Sequence, residues 1–479
     1  MIKGFLSMYS PGYLQTLVYM LQNTEYQPGA YLQWYWRTKD FNTVMQRRTL
    51  DRTSAARLFL WMLRLGTLFQ AALAVWLIYL GQWQGLVGGV AFGAALLIIN
   101  PVLWAHMVII PLIFGRWFIV KPRERRLIRR SRHTFANHPG VRVAVAGSYG
   151  KTTMKELLLT VLSEGLKVAA TPANRNVSSS HAQFANKLSG DEQVLIIEYG
   201  EGAPGDIARF ARTTKPTHAI VTGLAPAHLD RYKTLAAAGE DIFSIGKFVD
   251  AEHLYVNNES RNVRPYLQHG YKLFDHTGAL GWKTSGIKVG FDGTSFTLKK
   301  RQKSLKLKSG LIGRHQVGYL ALVATLGMEL GLSEKQIRSG IAKTKPFEHR
   351  MQPYQLAGAW IIDDTYNGNL EGIRAGTQLL ADLPAKRRLY VTPGLVDQGG
   401  ERAAVHREMG ELIAAAKPDV VVLMKNSVTD YIQAGLDKAK FTGDVRIEEH
   451  PLEFYTNLSH LVAAGDVVLM QNDWTDNYA

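Results

Sequence analysis

The sequence contains no cysteine. Disulfides, thiolate metal sites and cysteine nucleophiles are excluded, and the chain fits a reducing compartment. Acidic residues are scarce: 40 Asp and Glu stand against 56 Lys and Arg, a formal net charge of +16. Charge of either sign is missing altogether from 65–115, a run of 51 residues without Asp, Glu, Lys or Arg. With 46% hydrophobic and 20% charged residues, wholesale disorder and a fibrous repeat are excluded too. At 479 residues the chain is expected to form two or three domains.

The uncharged run is long enough for two membrane spans, since roughly 20 apolar residues at about 1.5 Å each cross the hydrocarbon core. The spans are expected at 58–80 and 86–114, the second kinked at Asn100-Pro101, with Gly81-Gln82-Trp83-Gln84-Gly85 as the turn. Arg47, Arg48, Arg52 and Arg57 precede the pair, and Lys121, Arg123, Arg125, Arg126, Arg129, Arg130 and Arg132 follow it. Basic flanks on both sides place both ends in the cytoplasm, giving a multi-pass protein of the inner (cytoplasmic) membrane. A buried hairpin in a soluble core is the alternative, and a cleaved signal peptide is excluded by the internal position and length. The cluster at 121–132 suits anionic lipid headgroups; its juxtamembrane position favours membrane lipids over nucleic acid. Residues 1–55 are rich in Tyr and Trp and read either as an interfacial segment or as a small helical cap.

Beyond Arg132, short apolar runs alternate with amphipathic stretches, the pattern of an α/β fold. The stretch 141–146 reads as a strand and 154–162 as a helix, with Gly147-Ser148-Tyr149-Gly150-Lys151-Thr152-Thr153 between them. A glycine loop between strand and helix aims backbone N–H groups and the helix dipole at a phosphate. Lys151 would reach the terminal phosphates and Thr152 would offer its hydroxyl to Mg²⁺, although Val145 stands where the full P-loop pattern has glycine. The basic stretches 283–289 and 299–308 read as a hairpin with a solvated charged face.

That loop, together with Lys155-Glu156, resembles the shortened P-loop of the Mur ligases, most of all their MurF-type, D-alanyl-D-alanine adding branch. Further matches follow in order. They are Thr171-Pro172-Ala173-Asn174-Arg175-Asn176, Ile197-Glu198-Tyr199-Gly200, Gly205-Asp206-Ile207, Ala227-His228-Leu229, Gly313-Arg314-His315 and Ile361-Ile362-Asp363-Asp364-Thr365-Tyr366-Asn367-Gly368-Asn369.

The resemblance implies a P-loop central domain and a Rossmann-like C-terminal domain, here behind an N-terminal transmembrane hairpin. The division would be 1–55, 56–120, 121–345 and 346–479, with a hinge at Lys345-Pro346-Phe347-Glu348. It also implies an ATP- and Mg²⁺-dependent ligase that phosphorylates a carboxylate and lets an amine displace the phosphate. Gly147, Ser148, Gly150, Lys151, Thr152 and Thr153 would cradle the phosphates, and Thr152, Glu198 and His228 would hold magnesium. Arg350 would contact the transferred phosphate and Asp364 the ribose, with Lys151, His228 and Arg350 as the catalytic set. Gln316 and Tyr319 stand where the family has two adenine-side asparagines, the tyrosine as a stacking candidate. His406 would serve the amine side.

Three departures are visible. Glycine (Gly239) takes the place of the carbamylated lysine that bridges a second metal; either Glu240 or Asp241 supplies the carboxylate, Glu240 being preferred, or the second magnesium is lost and both acids cap a helix. The C-terminal stretch around Gln471-Asn472-Asp473 differs from the family's Lys-Gly-Ser, and the uridine-nucleotide domain is not recognisable. The leading reading is a membrane-tethered amide ligase acting on a cell-wall peptidoglycan-type precursor, with a lipid-linked one as a natural acceptor, and an amino acid or dipeptide. A poly-amino-acid synthase and a non-catalytic nucleotide-binding membrane protein are the rivals.

Overall fold

The computed structural model describes residues 2–24, 26–42, 44, 50–173, 175–226, 229–366, 368–396 and 398–472. Arg47 and Arg48 of the first basic flank therefore lie outside the described residues, as do Asn174, His228 and Asn367. Two compact units form, Met1–Arg126 and Leu127–Ala479.

In the first unit, helices Ser54–Trp83 and Val87–Met107 are long and apolar enough to cross a membrane. Thr53 caps the first by accepting from the Ala56 amide, and the turn between them is shorter than the sequence suggests, because the helix continues through Trp83. Large apolar side chains such as Leu68, Phe69, Phe92 and Trp83 stand open along both helices. The polar groups between the helices are satisfied: Gln70 donates to Leu96 O (2.9 Å), Asn100 to Thr67 O (3.0 Å) and Trp104 to Gln70 Oε1 (2.8 Å). Pro101 has no N–H for the carbonyl one turn earlier. Tyr9 supplies a donor there, its hydroxyl reaching the oxygens of Leu97 (3.1 Å) and Ile98 (2.7 Å). Tyr13 and Tyr31 donate likewise to Pro101 O (3.2 Å) and Ala105 O (3.0 Å). The aromatics of helices Tyr13–Asn23 and Pro28–Arg37 thus pack on the hairpin.

The second unit holds two sheets. Ten strands make the first: β1 Val141–Ala146, β2 Val168–Ala170, β3 Val194–Glu198, β4 His218–Val221, β5 Leu254–Asn257, β6 Lys272–Asp275, β7 Gly278–Ala279, β8 Trp282–Gly290, β9 Gly293–Lys300 and β10 Lys303–Ser309. Their order is β10-β9-β8-β7-β6-β5-β4-β1-β3-β2, with β2 to β6 and β1 parallel and β7 to β10 an antiparallel meander. Runs of Val and Ile buried on both faces explain β1 and β3. The helix Gln316–Glu329 is apolar all round and nearly wholly buried, filling the core below the sheet. On the meander, side chains alternate: Phe296, Leu298, Leu305 and Leu307 face the core, while Lys283, Lys288, Lys299, Lys306 and Lys308 lie on the open face.

Six strands make the other sheet: β11 Gln352–Leu356, β12 Ala359–Asp364, β13 Arg387–Thr392, β14 Val420–Met424, β15 Asp444–Glu448 and β16 Asp466–Gln471, ordered β11-β12-β16-β13-β14-β15. All but β11 run parallel, with helices between them, the doubly wound arrangement.

Candidate active site

In the ten-stranded sheet β1 lies between β3 and β4, so chain connections depart to opposite sides at this point. Such a switch point opens a crevice at the carboxyl ends of the strands. The glycine loop follows β1, Glu198 ends β3, and the segment leading to His228 follows β4.

The loop's glycines are required by its shape. Gly147 has φ +135° and Gly150 φ +72°, and a Cβ would strike Thr222 at the first and the Tyr319 hydroxyl at the second. Ser148 N donates to Gly223 O (2.9 Å), which pins the loop to the end of β4. Helix Lys151–Leu162 then begins, and Met154 N is bonded to Gly150 O, leaving the amides of Lys151, Thr152 and Thr153 at the open helix end. Anions are favoured there by those N–H groups and by the helix dipole.

Around this end, lysines and carboxylates interlock. Lys151 Nζ donates to Gly147 O (2.6 Å) and pairs with Glu201 (2.7 Å). Thr152 donates to Glu198 Oε1 (3.1 Å), as does Asn176 (3.3 Å). Lys155, wholly buried, lies 3.4 Å from Glu198 Oε2 and donates to Ala173 O (2.5 Å). The Glu198 backbone is fixed as well, its N–H going to Thr171 Oγ1 (3.1 Å) and its carbonyl accepting from His181 Nε2 (2.8 Å). Burial pushes the His181 imidazole down to about 4, so it stays neutral.

Among the described residues, no three His, Asp or Glu side chains gather to hold a cation. Of the expected magnesium set, Thr152 and Glu198 are brought together, and His228 lies outside the described residues. Glu240 does not join them: on helix Leu235–Phe243 it points to solvent, while Asp241 turns inward. Asp241 in turn accepts from Gly205 N (2.8 Å) and from the Tyr232 hydroxyl (2.8 Å), and its burial raises its pKa. At Gly239 any Cβ would meet the ring of Tyr266, whose hydroxyl is bonded to Ala236 O (3.1 Å) and whose face stacks on Phe243. No longer side chain fits there.

The two candidates on the adenine side fall in different settings. Gln316 donates to His315 Nε2 (2.8 Å), and its Oε1 is buried without a donor. Tyr319 is buried under the glycine loop, its hydroxyl donating to Thr222 O (3.1 Å) and its ring against Phe274. It props the loop and offers no open face for stacking.

In the six-stranded sheet, Asp364 ends β12. Its oxygens accept from Met351 N (3.2 Å) and Gln471 Nε2 (2.7 Å), and burial pushes its pKa up to about 7. The Arg350 guanidinium lies over the Tyr366 ring (4.3 Å) and is the cation that draws the Asp364 pKa back down. His406 is fully buried with both ring nitrogens used, at Arg402 O (2.6 Å) and Leu395 N (2.9 Å); it holds a loop and is closed to a substrate amine.

Sequence reasoning passed over Lys155 as a site residue and Glu201 altogether, although both adjoin matched motifs. An extra acid directly after Glu198-Tyr199-Gly200 was the available signal.

Residues 145–326 match the Mur ligase middle domain, and residues 349–471 the Mur ligase glutamate ligase domain. The chain is 30% identical over 287 residues to the UDP-N-acetylmuramoyl-tripeptide--D-alanyl-D-alanine ligase of Escherichia coli, covering 58% of this chain and 63% of that one. The Synechocystis enzyme of the same name is 30% identical, with 61% and 64% covered, so the chain spans less than two thirds of these relatives. The fold is similar to that of MurF from Acinetobacter baumannii (TM-score 0.64, 20% identity, 73% and 77% covered). It is also similar to MurF from Thermotoga maritima in complex with ADP (TM-score 0.63, 23% identity, 73% and 80% covered). With both of its sheets in matched domains, the chain belongs to the Mur ligase family.

Proposed function

We propose that the chain is a membrane-anchored, ATP- and Mg²⁺-dependent ligase that forms an amide bond through an acyl phosphate, on a peptidoglycan-type precursor. The observation that carries this is the glycine loop at the switch point, flanked by Lys151 and by two enclosed carboxylates, Glu198 and Glu201. A substrate carboxylate attacks the terminal phosphorus of ATP and releases ADP. An amine then attacks the acyl carbon, loses a proton and expels phosphate.

The residues fit the nucleotide. The Cβ-intolerant glycines would let backbone approach phosphate closely, and Lys151 would leave Gly147 O to reach the terminal phosphates. Thr152 and Glu198 would hold magnesium, which when bound neutralises charge on the phosphates. Arg350 would meet the transferred phosphate from the second sheet, and Asp364 the ribose. Closure of the two domains would exclude water from the acyl phosphate.

The substrates are a cell-wall precursor and an amino acid or dipeptide, as the relatives' name (a tripeptide precursor with D-alanyl-D-alanine) suggests. A lipid-linked precursor suits a site tethered by two apolar helices flanked by basic residues. The anchor would be in the cytoplasmic membrane with the ligase domains inside. A reporter fused at Gln84 should therefore read the outer face and one after Arg132 the inner face, and the opposite result rejects this topology.

Incubating the full chain with ATP, Mg²⁺, fractionated precursors and candidate amines should release phosphate only when carboxylate and amine are both present. The product mass should be that of the two substrates less water. ATP turnover without either substrate, or none under any of these conditions, would point to the rival nucleotide-binding membrane protein that is not a ligase. In Lys151→Ala, turnover should fall by at least about a hundredfold, since one such contact is worth on the order of 3 kcal/mol. Turnover within twofold of the parent, roughly 0.4 kcal/mol, rejects the loop as catalytic.

A further inference from the structure

Among the described residues, only two buried carboxylate oxygens lack a hydrogen-bond donor, and both border the glycine loop: Glu198 Oε2 and Glu201 Oε2. Each has an ammonium beside it without usable hydrogen-bond geometry, Lys155 at 3.4 Å and Lys151 at 2.7 Å. Glu201 is 7% exposed and follows β3 by three residues, while Lys151 and Thr152, the partners of Glu201 and Glu198, are consecutive. The two carboxylates therefore flank one helix end from the same strand terminus.

The neighbouring acids are already used. Asp241 has donors on both oxygens, Gly205 N and Tyr232 Oη. Asp206 accepts from Ala203 N (3.0 Å) and pairs with Arg209 (2.6 Å). Glu240 is exposed, and Gly239 is shut by Tyr266. Among the described residues, that leaves Glu198, which already serves Thr152 and Asn176, and Glu201, whose side-chain contact is the Lys151 ammonium.

Lys151 serves two masters. Here it donates to Gly147 O and is ion-paired with Glu201, yet a terminal phosphate would draw it away. An enclosed carboxylate deprived of its ion-pair partner is strongly destabilised, so another positive charge has to take the ammonium's place. A hard, oxygen-seeking divalent cation suits a carboxylate oxygen together with phosphate oxygens and waters.

We propose that Glu201 is the carboxylate ligand of a second divalent cation, which binds when nucleotide phosphate takes Lys151 from it. Glu201 would thus supply the carboxylate that the resemblance leads one to expect from Glu240, which is exposed. The proposal rests on the nucleotide-binding reading above.

The test is a Mn²⁺ titration of the detergent-purified full chain with a non-hydrolysable ATP analogue, followed by electron paramagnetic resonance. The parent should bind about two Mn²⁺ per chain, and Glu201→Gln about one, with the analogue still bound. Glu201→Asp keeps the charge and should keep the second ion more weakly, while Glu240→Gln should match the parent. Two ions in Glu201→Gln with the analogue bound overturns the proposal and leaves Glu201 as a latch on Lys151. One ion in the parent overturns it too, even if the glutamine variant does not fold. No analogue binding by the parent overturns the nucleotide-binding reading along with it.

Discussion

Glu198 and Asp364 each end a parallel strand, one in the ten-stranded sheet and one in the six-stranded sheet, but their carboxylates are finished differently. Glu198 takes neutral donors on one oxygen only, from Thr152 and Asn176, and keeps the other beside a buried lysine. Asp364 takes a neutral donor on each oxygen, from Met351 N and Gln471, and burial outweighs these and the nearby Arg350 to push its pKa up to about 7. The same strand-end position thus gives an anion with a spare oxygen in one sheet and a carboxyl poised between charge states in the other. The first suits a cation; the second suits hydroxyl groups, which can donate to the ionised form.

The comparison breaks most severely at Lys155. Lys155→Met keeps much of the stem's packing but removes the ammonium from Glu198 Oε2, from Ala173 O and from the half-exposed Glu156, which water can still solvate. Deleting one partner of a buried pair costs about 3–5 kcal/mol, because the remaining charge has nowhere to go. Denaturant unfolding should show that loss, and Lys155→Met/Glu198→Gln should recover a good part of it, since no bare charge is then left. If the single variant unfolds like the parent, Lys155 does not hold Glu198 in place.

Much of this arrangement was legible in the sequence. Val and Ile runs marked β1 and β3, and the glycine loop with Lys151 and Thr152 followed from residue types alone, because tight phosphate turns admit few side chains. The long uncharged run marked both apolar helices, although the second ends at Met107 and not at 114, and Pro101 lies inside it. What escaped was set by three-dimensional neighbours. Nothing local says that Tyr266, 27 positions beyond Gly239, would lie over that glycine, or that Tyr319 would turn under the loop. Glu240 and Asp241 differ by one position, and only the helix's rotation decides which faces in. His406 looked chemical because histidines often are, yet its two backbone partners come from residues 395 and 402.

A gentler probe sharpens the contrast at Asp364. Because its folded pKa is about 7, well above the ordinary value for an aspartate, the folded chain retains a proton there that the unfolded chain has already released. This group's contribution to stability is therefore greatest in acid and declines as pH rises from about 4 to about 7. Binding should run the other way. If a ribose hydroxyl donates to the carboxylate, affinity depends on the ionised fraction, which grows from roughly a tenth at pH 6 to roughly nine tenths at pH 8. ADP affinity should accordingly rise by up to about tenfold over that range. Asp364→Asn, neutral throughout, should bind weakly with no such slope, while Gln471→Leu, which removes one donor to the ionised form, should move the midpoint to higher pH. Calorimetric titration of ADP at a series of pH values measures all three. A flat profile for the parent, alongside undiminished binding by Asp364→Asn, would remove Asp364 from the nucleotide site and leave it as a buried tie between β12 and β16.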